Sequence, residues 1–308
     1  MMRFALPLAL LMAGPASAQA PGSFVVVGSG ESFETLQEAV TALGGGDGTI
    51  RIAAGTYEDC AVVEGGRVAF VAGTPGEVIF DGGVCEEKAT LVLRGRSARV
   101  EGLTFTHTHV ADGNGAGIRI EKGDLVVIGS KFVDAQSGIL SAADPSSTIS
   151  IDRSTFSGLG KDPTGNGAHS IYVGDYGGVK VTNSRFERGT GGHYFKSRAP
   201  KVEAIGNSFD DSQGSDTNYM IDLPHGATGR IAGNLFVNGR DKGNYGTMIA
   251  VAAEGRLRAS AGLAIEHNRA WLAPNFPHWT AFVGNWSRDA VILRNNELAR
   301  RMTAIARR

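Results

Sequence analysis

HYFKSRAPKVEAIGNSFDDSQGSDTNYMIDLPHGATGRIAGNLF, residues 193–236, contains one unit twice. A short apolar strand (Tyr194-Phe195, then Met220-Ile221) leads through a turn to an asparagine two residues before an aromatic, Asn207-Ser208-Phe209 and Asn234-Leu235-Phe236. Outward from this stretch the strand recurs at Gly117–Ile120, Gly138–Ser141, His169–Val173, Thr247–Val251 and Thr280–Val283. The aromatic end recurs at Phe105, Phe132, Phe156 and Phe186, and the gaps from Phe105 to Phe236 are 27, 24, 30, 23 and 27 residues. A variable period in the twenties, with strands of a few residues, suits a coil that pairs its backbone only with the coils above and below. The fold expected is all-β, a single-stranded parallel β-helix. A βαβ fold fails because no helical pattern of ten or more residues separates the strands.

Stacking the units makes Ile118, Ile139, Ile171, Phe195, Ile221, Ile249 and Phe282 one inward ladder. Asn183, Asn207 and Asn234 are expected in tight left-handed bends. A helix stands out at 32–43, with Phe33, Leu36, Ala39, Val40 and Leu43 on one face, Ser32 as N-cap and Gly44-Gly45-Gly46 as stop. It is expected to cap the first coil, and a short basic helix at 297–308 is expected to cap the last.

Arg3, the apolar run Phe4–Ala13 and Ala16-Ser17-Ala18 have the pattern of a Sec-type signal peptide over residues 1–20. The remainder, 21–308, is expected to be one β-helix domain in the periplasm or outside the cell, without membrane insertion and monomeric. A formal net charge of −1 offers no global attraction for nucleic acid. Cys60 and Cys85, 25 residues apart, fall about one coil apart. Stacked strands lie ~4.8 Å apart, within the ~4.4–6.8 Å Cα range of a disulfide, so a bridge between adjacent coils is expected in an oxidising compartment.

The stretch FETLQEAVTALGGGDGTIRIAAGTY, Phe33 to Tyr57, resembles the N-terminal cap and first coil of pectate-lyase-like right-handed β-helix proteins. The resemblance implies the right-handed form and a helix ahead of the first coil. It implies little about activity, because one scaffold hosts many chemistries.

Outward residues of one strand ladder share a wall. Aligned on the inward set, they form the row Arg119, Leu140, Tyr172, Lys196, Asp222, Ala250, Val283. Asp175, Arg198 and His225 follow at strand ends, and His169 and His193, 24 residues apart, precede at strand starts. An exposed Lys–Asp ladder would be ordinary, contributing about 0–1 kcal/mol. Clustering of titratable groups on consecutive coils favours a functional site. The chemistry that fits is β-elimination from an acidic, uronate-containing polysaccharide. It needs cations at the sugar carboxylate, a base for the adjacent proton and an acid for the departing oxygen. Lys196 is expected to be the base, Tyr172 or His193 the acid, and Arg198 and His225 the carboxylate partners, with Asp222 and His169 completing the set.

Phe195-Lys196-Ser197, Ile205–Phe209, Ser212-Gln213-Gly214 and Leu223-Pro224-His225-Gly226 resemble the catalytic coils of chondroitinase B and related alginate lyases. That resemblance implies a basic role for Lys196. The family's arginine position holds Pro224 here, leaving that role to Arg198 or His225, and its calcium ligands are not evident, Asp175 being a loose substitute. Calcium could also be held by the oxygen-rich loops 112–114 and 210–216, although such compositions suit plain turns. No other cofactor is implied. A hydrolase would need a second carboxylate beside Asp222, and the adjacent strands offer none. The alternative outside enzymes is a glycan-binding or surface-structural β-helix, with Tyr194, Tyr219, Tyr245, Trp271, Trp279 and Trp286 lining a groove. In that case Tyr172, His193 and Lys196 should not share a cleft.

Overall fold

The computed structural model describes residues 22–160, 164 and 168–308; the expected signal peptide lies outside them. Three sheets of twelve, ten and ten strands form the walls of a parallel solenoid. Every strand pairs with its counterparts one coil away, except at the N-terminus, where Phe24–Val26 pairs antiparallel with Ser32–Phe33 and Gly48–Ile52.

The phenylalanine units stack as expected. Phe80, Phe105, Phe132, Phe156, Phe186, Phe209 and Phe236 are fully buried, with neighbouring centroids 4.7–5.7 Å apart and rings nearly parallel. On the facing sheet the ladder runs Ile118, Ile139, Ile171, Phe195, Ile221, Ile249. It then takes Val283 rather than the expected Phe282, and Gly284 replaces Val283 in the outward row. Ala281-Phe282-Val283 is apolar throughout, so alternation could not choose between the two registers. Phe282 instead makes an edge contact with Phe236, centroids 5.4 Å apart. A Cβ on Gly284 would meet the Trp286 ring at 2.6 Å, so the row ends under that indole.

The asparagines divide into two positions. Asn183 has φ 50°, as expected of a left-handed bend. Asn207 and Asn234 occupy the next position, and the left-handed residues are Gly206 and Gly233 before them. Their buried side chains form a ladder with Asn268 and Asn296: the Asn207, Asn234 and Asn268 main-chain N–H groups each donate to the amide oxygen one coil on, at 2.8–3.0 Å. The ladder satisfies corner N–H groups that no strand can reach, and unpaired buried donors are costly.

The cap helix is shorter than expected. It spans Leu36–Ala42, with Thr35 as N-cap in a reciprocal capping box with Glu38, and Ser32 belongs to a strand. The box outcompetes Ser32 because it satisfies two otherwise orphaned N–H groups at once. Leu36, Ala39 and Val40 face the core. The helix expected at 297–308 is absent; Glu297–Leu298 and Met302–Arg307 extend two sheets by one strand each. The open ladder of Thr280–Asn285 supplies backbone partners that an isolated short helix would lack.

Cys60 and Cys85 form the expected disulfide, Cα atoms 5.6 Å apart. The coil there advances 30 residues, since Ala61 pairs with Leu91. Cys85 reaches Cys60 from a turn closed by its bridge to Ala89. Among the described residues no helix is long and apolar enough to cross a membrane.

Phe156 sits mid-stack, so Phe156→Ala leaves a void with rings on both sides and should cost about 3–5 kcal/mol. A urea-denaturation midpoint unchanged from wild type would contradict a continuous aromatic core.

Candidate active site

Strands Ile171–Val173, Phe195–Ser197 and Ile221–Leu223 pair in register, placing Tyr172 beside Lys196 and Lys196 beside Asp222. The flanking residues alternate inward and are fully buried, which forces these three to the outer wall. Lys196 Nζ lies 3.0 Å from Asp222 Oδ2. Arg198, just past its strand, donates from Nε to the Tyr172 hydroxyl at 2.8 Å and from Nη1 to His225 Nε2 at 2.5 Å. His193 Nε2 is 3.5 Å from Asp222 Oδ2, and its main-chain N–H donates to His169 Nδ1 at 3.0 Å. All seven expected residues therefore share one connected cluster.

Two members were not foreseen. Glu254 lies in a turn after Thr247–Val251, and its carboxylate bridges Lys196 Nζ and Arg198 Nη2, the latter at 2.6 Å. Arg258 donates to the Arg198 carbonyl at 3.0 Å and pairs with Asp175. The available signal was positional: Glu254 follows the strand one coil after the Leu223–Gly226 segment. A turn residue carries no alternation to say where its side chain folds, so the signal was faint.

Electrostatics revise some of the expected roles. Burial opposes charge on Lys196, but Asp222 and Glu254 outweigh it and hold its pKa above the ordinary value. Lys196 is thus an ammonium and cannot accept a proton as the expected base would. Burial lowers His225, with the Arg198 charge acting in the same direction. Its Nε2 accepts from Arg198, so it orients that guanidinium rather than supplying a second cation. Burial, reinforced by Lys196 and Arg198 against the opposing Glu254, pushes His169 down to about 3. His193 is held well below its usual value by burial and then by its charged neighbours. Neutral imidazoles are poor general acids, which argues against His193 as the expected acid. Burial pushes Asp222 up to about 6 against the opposing Lys196 charge, and its Oδ1 is buried without a hydrogen-bond partner.

Several of the carboxylates expected as calcium ligands already have protein partners. Asp175 is committed to Arg258, and Asp211 is buried against Lys242 at 3.1 Å. Asp112 and Asp210 close turns onto the N–H groups of Asn114 and Ser212 at 2.9 and 3.0 Å. Among the described residues no three His, Cys, Asp or Glu are grouped to hold a metal.

The aromatics also separate. Tyr194 is buried and donates to Asp211 at 2.7 Å, and Trp271 lies on the phenylalanine sheet. Tyr219 and Trp286 continue from His193 along the site wall, with centroid distances of 5.5 and 6.4 Å. On the N-terminal side a depression of about 520 Å³ is lined by Arg119, Ser137, Leu140, Ser141, His169 and Tyr172, among others.

This chain belongs to the right-handed β-helix family, whose "right handed beta helix region" matches residues 90–298. No curated protein matches it. Among solved structures it is similar to a pectin methylesterase mutant in complex with a hexasaccharide, at 12% identity and a TM-score of 0.35, over 89% of this chain and 77% of that one. A likeness at that level carries no argument about activity.

Asp222 has a pH signature. Its folded pKa of about 6 lies above the ordinary 3.8, so between these values the folded state holds the extra proton and its stability falls as pH rises. Relative to Asp222→Asn, the wild type should lose at most about 3 kcal/mol from pH 4 to 6 and then level off. Parallel stability–pH curves for the two proteins would refute the assignment.

Proposed function

We propose that this protein cleaves a uronate-containing acidic polysaccharide by β-elimination, in the periplasm or outside the cell. One observation carries the reading: Tyr172, Lys196 and Arg198 meet in a single hydrogen-bonded cluster on the outer wall, beside a depression long enough to cross several coils. A glycan-binding surface has no need to bring a phenol, an ammonium and a guanidinium together. The Cys60–Cys85 bridge supports an oxidising compartment.

In the proposed reaction the uronate carboxylate docks on Arg198, with Lys196 alongside. Two charge-assisted contacts draw electron density from the sugar and acidify the C5–H. The Tyr172 oxygen, which accepts the Arg198 Nε–H, takes that proton after its own has passed to solvent. The C5 electron pair forms the C4–C5 double bond, the C4–oxygen bond breaks, and the Lys196 ammonium protonates the departing oxygen. The acid and base roles expected of Lys196 and Tyr172 are thereby exchanged. Asp222 keeps Lys196 charged and placed, His225 orients Arg198, and His169 and His193 form the neutral wall behind them.

Incubation with alginate, polygalacturonate and chondroitin or dermatan should produce ultraviolet absorbance from unsaturated uronates on at least one polymer. Tyr172→Phe and Lys196→Ala should each lower turnover by about 10²–10⁴-fold. Absence of absorbance on every polymer would retire elimination in favour of glycan binding, and full activity of either variant would remove that residue from the chemistry.

A further inference from the structure

Charges in the cluster are already matched without a ligand: Lys196 and Arg198 face Asp222 and Glu254, while Arg258 faces Asp175. The two carboxylates on Lys196 are held differently. The Asp222 side chain is 2% exposed and comes from within a strand, whereas that of Glu254 is 42% exposed and reaches in from a turn. Each Glu254 oxygen meets its own cation, Oε1 on Lys196 Nζ and Oε2 on Arg198 Nη2. This is the two-oxygen bridge that a sugar carboxylate would make between the same groups.

We infer that Glu254 is a tethered stand-in for the substrate carboxylate, and that a uronate binds by exchanging its own carboxylate for that of Glu254. The inference rests on the reading of the cluster as a uronate site. The exchange requires only side-chain rotation. The Glu254 main chain stays anchored, its N–H donating to the Pro224 carbonyl at 2.9 Å, and the turn begins at Ala252 with a left-handed φ of 60°. Asp222 remains behind and continues to hold the lysine as an ammonium. One carboxylate leaves as another arrives, so the charge balance of the buried wall is preserved. A neutral glycan cannot make this exchange without leaving Arg198 without a carboxylate and Lys196 with Asp222 alone. Glu254 therefore acts as a specificity residue that admits acidic sugars and rejects neutral ones.

The exchange lowers apparent affinity by the fraction of molecules in which Glu254 is bound. Glu254→Gln removes the competing charge while preserving size, and should tighten binding of trigalacturonate or an alginate trisaccharide about tenfold. Calorimetric titration of the full chain, wild type against variant, reads this directly, with maltotriose as the neutral control. Glu254→Asp is too short to bridge both cations and should fall between the two. Equal or weaker binding by the Gln variant, or no uronate binding by either protein, overturns the inference. Tighter binding without any unsaturated product upholds Glu254 as the stand-in and removes only the elimination chemistry. Cleavage by the wild type without tighter binding by the variant does the reverse.

Discussion

Parallel backbone pairing between successive coils is the constraint on which the rest of this protein depends. Each described strand is only two to nine residues long in the parallel walls, too short to be stable alone, and obtains its hydrogen-bond partners from neighbouring coils. That pairing fixes register, and register fixes which residues point inward. The phenylalanine stack, the isoleucine ladder and the asparagine ladder all follow from it, because the same position in each coil faces the same environment. A one-residue slip would turn an apolar side chain out and a polar one in.

The same constraint builds the candidate site. Tyr172, Lys196 and Asp222 are adjacent because their strands pair, although about two dozen residues of chain separate each from the next. Lys196 and Asp222 stand on the outer wall yet are nearly inaccessible, covered by side chains from neighbouring turns. Burial then changes their chemistry. It raises the Asp222 pKa and depresses both histidines, while two carboxylates keep the lysine charged. A ladder that would be an ordinary surface ion pair in water becomes a cation cluster in a medium where charge is costly to leave unpaired.

Places where the expected and observed structures part share a physical cause. The register at Phe282 and Val283 was ambiguous because both are apolar and alternation carries no information there. Asn207 and Asn234 serve a ladder rather than a bend because their side chains have partners one coil away, which local turn propensity cannot see. The C-terminal strands formed because the preceding coil offered an unpaired edge. Glu254 and Arg258 escaped notice because their side chains fold back from turns, where no periodicity announces direction.

The sequence by itself determined the solenoid, its coil length, the disulfide between its first coils and the row that carries Tyr172, Lys196 and Asp222. Apart from the disulfide, whose Cys85 lies in a turn, these are periodic, and periodicity is a property of the chain that stacking merely repeats. Tertiary structure alone decided the protonation and partnership of that row: that Lys196 is an ammonium, that His225 accepts rather than donates toward Arg198, and that Glu254 closes the cluster. Charge state depends on burial and on every neighbouring charge in three dimensions. Glu254, for one, comes from a turn 58 residues beyond Lys196, whose geometry no repeat encodes.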